Sequence, residues 1–263
     1  MIPNYTTIVG VDARHLRQLA VTWPTWRKNK PSLLAHPLIV FYDWRQVKAC
    51  DVVAVVDHPS MRLCMWPPTG VTFSGDDKTK WTNPQRHKML AGFVHAPAHF
   101  VETEYFLKLD TDAIATGMDD WIDPSWFVNN SAIVCHPWGF TRPPELMVWL
   151  DQWVADNADT LPQFMGTKPL DLLPKPGWDR VRHPRIISWC AFFKSDFNRT
   201  CAQMAEATTG YCQLPVASQD SYLFYVALRL GLPIVRPRMK SRGWSIFSTD
   251  HNVRKCAELA LQN

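Results

Sequence analysis

Asp110, Thr111 and Asp112 form a short acidic triplet. In an extended strand, residues two apart point to one face, so the two carboxylates would stand side by side with Thr111 turned away. Two hard oxygen ligands converging in this way suit Mg²⁺ or Mn²⁺, which one or two carboxylates commonly hold while phosphate oxygens complete the shell. Aspartates after a buried strand also begin turns and cap helices, so the pattern alone leaves both readings open.

The elements that must position these residues are legible in outline. Tyr5 to Val11 is an apolar, β-rich run ending at Asp12, and residues 13–28 have helical character despite Pro24. Pro37 to Tyr42, closed by Asp43, and Val52 to Val56, closed by Asp57, are expected to be further strands buried on both faces. Asn83-Pro84 predicts a helix start, with Met89, Leu90, Phe93 and Val94 on its apolar side and Pro97 limiting its end. Tyr105 to Leu109 is the fourth strand and delivers Asp110 and Asp112 to its carboxyl end. Strands alternating with helices imply an α/β fold on a mostly parallel sheet, in which ligands bind beyond the carboxyl ends of the strands. The second half is less regular, with Pro- and Trp-rich stretches at 137–144 and 162–184 expected to wrap the site. A strand is expected at Ile186 to Phe193, a helix at Asp220 to Leu230 closed by Gly231, and extended structure from Ile234 to Phe247.

The apolar Tyr-Phe-Leu-Lys-Leu before Asp110-Thr111-Asp112, with Ala113-Ile114-Ala115 after it, resembles the D-x-D segment of GT-A glycosyltransferases. The resemblance implies a Rossmann-like GT-A domain over residues 1–263, with a nucleotide-sugar-binding half to about 115 and an acceptor-binding, catalytic half from about 116. It implies Asp112 in direct metal contact and Asp110 shared between metal and ribose. His251, in Asp250-His251-Asn252, would complete the metal shell. Asp220, in Gln219-Asp220-Ser221-Tyr222-Leu223, would be the catalytic base of an inverting enzyme; it could equally be a carboxylate at a helix start. Trp189, Cys190 and Ala191 fall where the family lays a strand and loop against the donor sugar, although no glycine is present there. Gln219 and Trp244 join them as sugar or acceptor contacts.

A nucleoside diphosphate leaving group gains negative charge as the glycosidic bond breaks, and something cationic must meet it. If residues 236–242 are extended, Arg236, Arg238, Lys240 and Arg242 face one way as a cationic row. The same charges could protect a sheet edge. Arg86 and Lys88 are further donor candidates, and Asp12 and Asp43 are candidates for the base or ribose, with turn formation as their alternative.

The bulk composition sets bounds on these readings. The 263 residues, 46% hydrophobic, are ample for a core, and a net charge of +4 is too mild to argue for nucleic acid. No stretch approaches the roughly 18 apolar residues of a membrane span, so a cytoplasmic protein is expected, with peripheral membrane association left open. Seven dispersed cysteines without a C-x-x-C pair read as reduced core thiols. Thirteen tryptophans are more than a core usually calls for, and exposed ones could stack on sugars. The expected partners are thus a nucleotide-sugar donor and a glycan or other hydroxyl acceptor, with Mn²⁺ or Mg²⁺ as cofactor. Two rivals remain: a sugar nucleotidyltransferase, which would normally open with a Gly-rich loop where this chain has only Gly10, and a non-catalytic carbohydrate-binding protein.

Overall fold

A computed structural model describes residues 1–65, 91–117, 119–138, 152–165, 185–208, 222–224, 226–227, 230–246 and 250–262. The chain opens with β1 (Tyr5–Val11), α1 (Ala13–Asn29), β2 (Leu38–Tyr42), α2 (Ala49–Val55) and β3 (Met61–Met65). Next come α3 (Ala96–Phe100), β4 (Tyr105–Leu109), β5 (Ala113–Ala115) and β6 (Ile133–Trp138). The remainder holds β7 (Arg185–Lys194), α4 (Ser195–Ala207), β8 (Ile234–Val235), β9 (Trp244–Ile246) and α5 (Asp250–Gln262).

Seven strands form one mixed sheet in the order β3-β2-β1-β4-β7-β6-β8. β7 runs antiparallel to both neighbours, β4 and β6, while the pairings β1–β2, β1–β4, β2–β3 and β6–β8 are parallel. Six carboxyl ends therefore share one edge, which carries Asp12, Asp43, Asp110 and Arg236. Every residue of β4 is buried, as expected for a strand covered on both faces. One face packs Phe106, Phe193 and Ile8 with α4, and the other packs Leu107, Leu109 and Phe192 with Trp23 and Trp26 of α1. A separate ribbon, β5 paired antiparallel with β9, sets Ile246 opposite Ala113 and Trp244 opposite Ala115.

Several expectations change. Val52 to Val56 belongs largely to helix α2, where Val52 and Val56 are buried, Val53 is 54% exposed, and the Asp51 carboxylate accepts from the Lys48 N–H at 3.3 Å. A burial spacing of four is helical, and a five-residue apolar run cannot by itself distinguish the two periods. Asp57 accordingly ends no strand; it takes the Trp23 indole N–H at 2.8 Å and faces Arg27 at 2.5 Å. The third strand is Met61–Met65, a sheet edge in which only Cys64 is buried. Pro97 does not end its helix, because the helical run from Ala91 to Phe100 takes a π turn at Ala91–His95 and places Pro97 in the first turn of α3. There its missing N–H costs nothing. The segment 236–242 is not extended: Met239–Arg242 is a 3-10 turn closed by Gly243 at φ +76°. Tyr222–Phe224 and Val226–Ala227 are helical, and Gly231, at φ +62°, follows that segment. The start of the helix expected from Pro84 lies outside the described residues.

Candidate active site

The carboxyl end of β4 ends in a turn rather than in further strand. The Ala113 N–H donates to the Asp110 carbonyl at 3.0 Å, and the Asp110 N–H donates to the Trp189 carbonyl of β7 at 2.8 Å. Thr111 is buried and anchors the turn to α1: its hydroxyl donates to Gln18 Oε1 at 2.8 Å, and its carbonyl accepts from the Thr22 hydroxyl at 2.8 Å. Thr111 thus faces inward, as strand alternation would have it, but the turn and the α1 contacts produce that arrangement. Asp110 and Asp112 flank it on the open side. Burial pushes the Asp112 carboxyl up to about 6, and the neighbouring Asp110 charge adds to the rise; Lys108 and His15 oppose it. Two crowded carboxylates, one of them desolvated, are a donor set that a divalent cation would relieve.

That strain predicts an effect on stability. Asp112 has a folded pKa raised above its ordinary 3.8, so the folded state loses stability as pH rises from about 4 to about 6 and carries the full penalty above that. Asp112→Asn should therefore raise Tm at pH 7 by about 2–6 °C and leave it unchanged near pH 4. Thermal unfolding of both proteins across that range checks this, and an Asn variant that is no more stable at pH 7 would contradict it.

The other residues singled out in the sequence fall into distinct places. Asp12 caps α1: its Oδ1 accepts from the N–H groups of Arg14 and His15, both at 3.0 Å, and lies 2.8 Å from His15 Nδ1. Asp43 is buried and shapes the turn after β2, accepting from the Arg45 N–H at 3.2 Å and from the Gln46 amide at 3.0 Å. Both therefore hold loops at the sheet edge that carries the acidic turn. Trp189, Cys190 and Ala191 are fully enclosed, so this segment meets the site through the Trp189 carbonyl rather than through side chains. The Trp189 carbonyl reaches Asp110 as the next rung of the antiparallel β4–β7 ladder, while a register shift between Cys135 and His136 leaves 188–190 without partners on β6. Trp244 presents no face to a sugar, because it is 0% exposed and packs edge-on against Trp26 and Trp121.

The cationic row does not form. Arg236 lies half-buried over the Phe224 ring at 5.5 Å, at the end of β8. Arg242 faces Asp123 at 3.5 Å and stacks on Trp126 at 5.6 Å. Between them, the Met239 N–H donates to His136 Nδ1 at 3.0 Å and the Ser241 hydroxyl to the Arg238 carbonyl at 2.7 Å, bending the chain at Arg238 and Lys240. His251 sits near the start of α5, and its side chain lies outside the described residues, as do Arg86, Lys88, Gln219 and Asp220. Among the described residues, no group of three or more His, Cys, Asp or Glu could hold a metal, and no helix is long and apolar enough to cross a membrane.

Sequence reasoning passed over three residues. His15, in the first turn of α1, reaches Asp12 and influences Asp112. Lys108, the charge within the apolar Tyr105–Leu109 run, pairs with Asp110; it shares a strand face with Asp110, so alternation could have found it. Lys30 is completely buried, donates to the carbonyls of Thr116, Gly117 and Arg242 at 3.0–3.3 Å, and is lowered by burial to about 8. No local pattern announces it.

No protein-family model matches the sequence, and no curated protein matches it. Solved structures do match by shape. The mannosyltransferase Ktr4p from S. cerevisiae superposes with a TM-score of 0.57 at 10% identity, over 86% of this chain and 66% of its own. Core-mannan synthase A (CmsA/Ktr4) from Aspergillus fumigatus, in a Mn/GDP form, gives 0.53 at 15% identity over 88% and 70%. The 4-diphosphocytidyl-2C-methyl-D-erythritol synthase from Anaerococcus prevotii gives 0.54 at 12% identity over 99% of both chains. This chain thus spans about two thirds of the Ktr4p structure and the whole of the synthase. At these identities the likeness speaks to the fold alone. The mixed, mostly parallel sheet with flanking helices is the α/β fold of the GT-A glycosyltransferases.

Proposed function

We propose that this protein is a metal-dependent glycosyltransferase that moves a sugar from a nucleoside-diphosphate-sugar donor to an acceptor hydroxyl, in glycan or polysaccharide synthesis. The observation that carries the reading is the acidic turn: two carboxylates at the carboxyl end of a central strand, one of them desolvated and repelled by the other. Asp112, with Asp110, would hold Mn²⁺ or Mg²⁺, and the Mn/GDP form of CmsA supports that choice. When bound, the cation supplies positive charge to the diphosphate as it leaves.

Chain direction supports His251 as a third ligand. Ile246 lies opposite Ala113, so β9 runs toward the Asp112 end of its ribbon shortly before α5 begins. The carboxyl ends of α1 and α5 are tied by Lys28 to the Leu261 carbonyl at 2.7 Å and by Asn29 to the Ala260 carbonyl at 3.3 Å. Ten residues of helix back from Leu261, the backbone at His251 returns level with about Gln18 of α1, the residue that anchors Thr111. In an inverting reaction Asp220 takes the proton of the attacking hydroxyl; in a retaining one it orients sugar or acceptor. Arg236, at the same sheet edge but three strands from β4, is too far for the diphosphate and better suited to the acceptor side.

The rival, nucleotidyl transfer, has a structural neighbour in the synthase. Against it, Asp12 fills the N–H groups of Arg14 and His15 at the start of α1, the groups that a phosphate loop leaves open for its ligand. A purely carbohydrate-binding role finds few stacking platforms among the described residues. Among the described residues Trp23, Trp26, Trp121, Trp126, Trp153, Trp189 and Trp244 are buried, and Trp44 stands exposed.

A panel of UDP-, GDP-, CMP- and dTDP-sugars, followed by thermal shift and slow hydrolysis with and without Mn²⁺, tests the proposal. One nucleotide class should raise Tm and be hydrolysed to free sugar only with the metal. Release of pyrophosphate from a nucleoside triphosphate and a sugar phosphate, with no hydrolysis of any donor, would overturn it.

A further inference from the structure

The strand that delivers the acidic turn carries a charge inside its buried stretch. Lys108 is 2% exposed between Leu107 and Leu109, both at 0%. Its ammonium lies 2.5 Å from Asp110 Oδ1 and 4.4 Å from the centre of the Phe93 ring. An ammonium so enclosed needs a nearby anion, since an uncompensated buried charge is strongly destabilising. Asp110 supplies one, and its carboxylate is fixed through Oδ1 before any other ligand arrives. Asp112 differs: among the described residues its carboxylate makes no ion pair and no hydrogen bond to another residue's side chain. The two aspartates, identical in sequence terms, are thus unequal in their surroundings.

We propose that Lys108 is a built-in counter-charge that divides this pair, neutralising Asp110 and withdrawing its Oδ1 so that Asp112 becomes the principal carboxylate for the cation. The inference rests on the metal and diphosphate reading above. Its consequence is an ordered dependence between ligands. With Lys108 in place part of the pair's negative charge is already offset, so the two carboxylates alone hold a divalent ion weakly. A diphosphate adds the missing negative charge and completes the shell, so metal and nucleotide each bind well only with the other, and by linkage each strengthens the other by the same factor. Lys108 is a positioning residue in this scheme, acting through Asp110.

Mn²⁺ binding to the full chain, read from the electron paramagnetic resonance of the free ion, tests this with and without GDP or UDP. Wild type should bind Mn²⁺ weakly alone and at least about a hundredfold more tightly with one of the diphosphates. Lys108→Met should bind Mn²⁺ alone about tenfold more tightly, with the nucleotide effect reduced by a similar factor, while Lys108→Arg should match wild type. A Lys108→Met protein whose metal affinity is unchanged or weaker overturns the proposal alone. A wild type that binds no Mn²⁺ with either diphosphate overturns the underlying reading as well. Should Lys108→Met fail to fold, Asp110→Asn is the second test. It should lower Tm by taking the carboxylate away from the buried ammonium, and Lys108→Met/Asp110→Asn should recover the loss; an Asp110→Asn protein as stable as wild type contradicts the pairing.

Discussion

Asp112→Ala should abolish metal-dependent turnover, lowering kcat at least about a thousandfold while the protein stays folded. The expectation follows from the environment of this carboxylate. It is desolvated and repelled by Asp110, and the Lys108 and His15 charges only partly offset this, so its removal should cost the fold little. Removing it takes away the principal anchor for the ion that offsets charge on the departing diphosphate. Asp110→Ala should differ in kind, losing stability as well as activity, because the buried Lys108 ammonium then loses the carboxylate beside it. Circular dichroism and donor hydrolysis measured on both variants separate the two roles. Intact Mn²⁺-dependent turnover in Asp112→Ala would remove the acidic turn from the mechanism.

The largest effect on stability is expected away from the chemistry, at Gly243. A Cβ there would stand 2.2 Å from the Gly117 carbonyl oxygen, 2.5 Å from that of Thr116 and 2.8 Å from Lys30 Nζ, and the backbone has φ +76°. Backbone oxygens cannot swing aside, and Lys30 is held by three carbonyls. Gly243→Ala combines left-handed strain with a clash and a broken buried network, for about 3–5 kcal/mol and a fall in Tm of about 10 °C or more. Gly243 leads into β9, which holds β5 directly after Asp112, so the damage should reach donor binding too. Calorimetric unfolding checks this. A Tm within about 2 °C of wild type would mean that the Lys30 knot is not the lock described.

How much was legible follows from the physics of each segment. β1 and β4 are mostly apolar, β-rich runs closed by aspartate and almost wholly buried, so the strand reading was open to inspection. The Met61–Met65 strand escaped because an edge strand buries little, here only Cys64, and leaves Arg62 and Met65 to solvent. Residues 236–242 were misjudged because alternation presupposes an extended chain, whereas Ser241 and Gly243 favour a turn. At the site, the pairing of Asp110 and Asp112 was legible but its cause was not: a hydrogen-bonded turn, anchored through Thr111 to Gln18 and Thr22, does what strand geometry was expected to do. Those partners lie about ninety residues away in sequence, as Lys30 does from the carbonyls of Thr116 and Gly117, and no local rule reaches so far. The turn alternative for Asp12 and Asp43 was visible from the start, and their hydrogen bonds follow it.

The most direct test of the central claim is a calorimetric titration of nucleoside diphosphates into the wild-type protein, once with Mn²⁺ and once with a chelator. Binding of one diphosphate that requires the metal, and that disappears in Asp112→Ala, is the expected result. Equal affinity in the chelator, or metal-dependent binding that survives Asp112→Ala, would contradict the assignment of the acidic turn as the metal and diphosphate site.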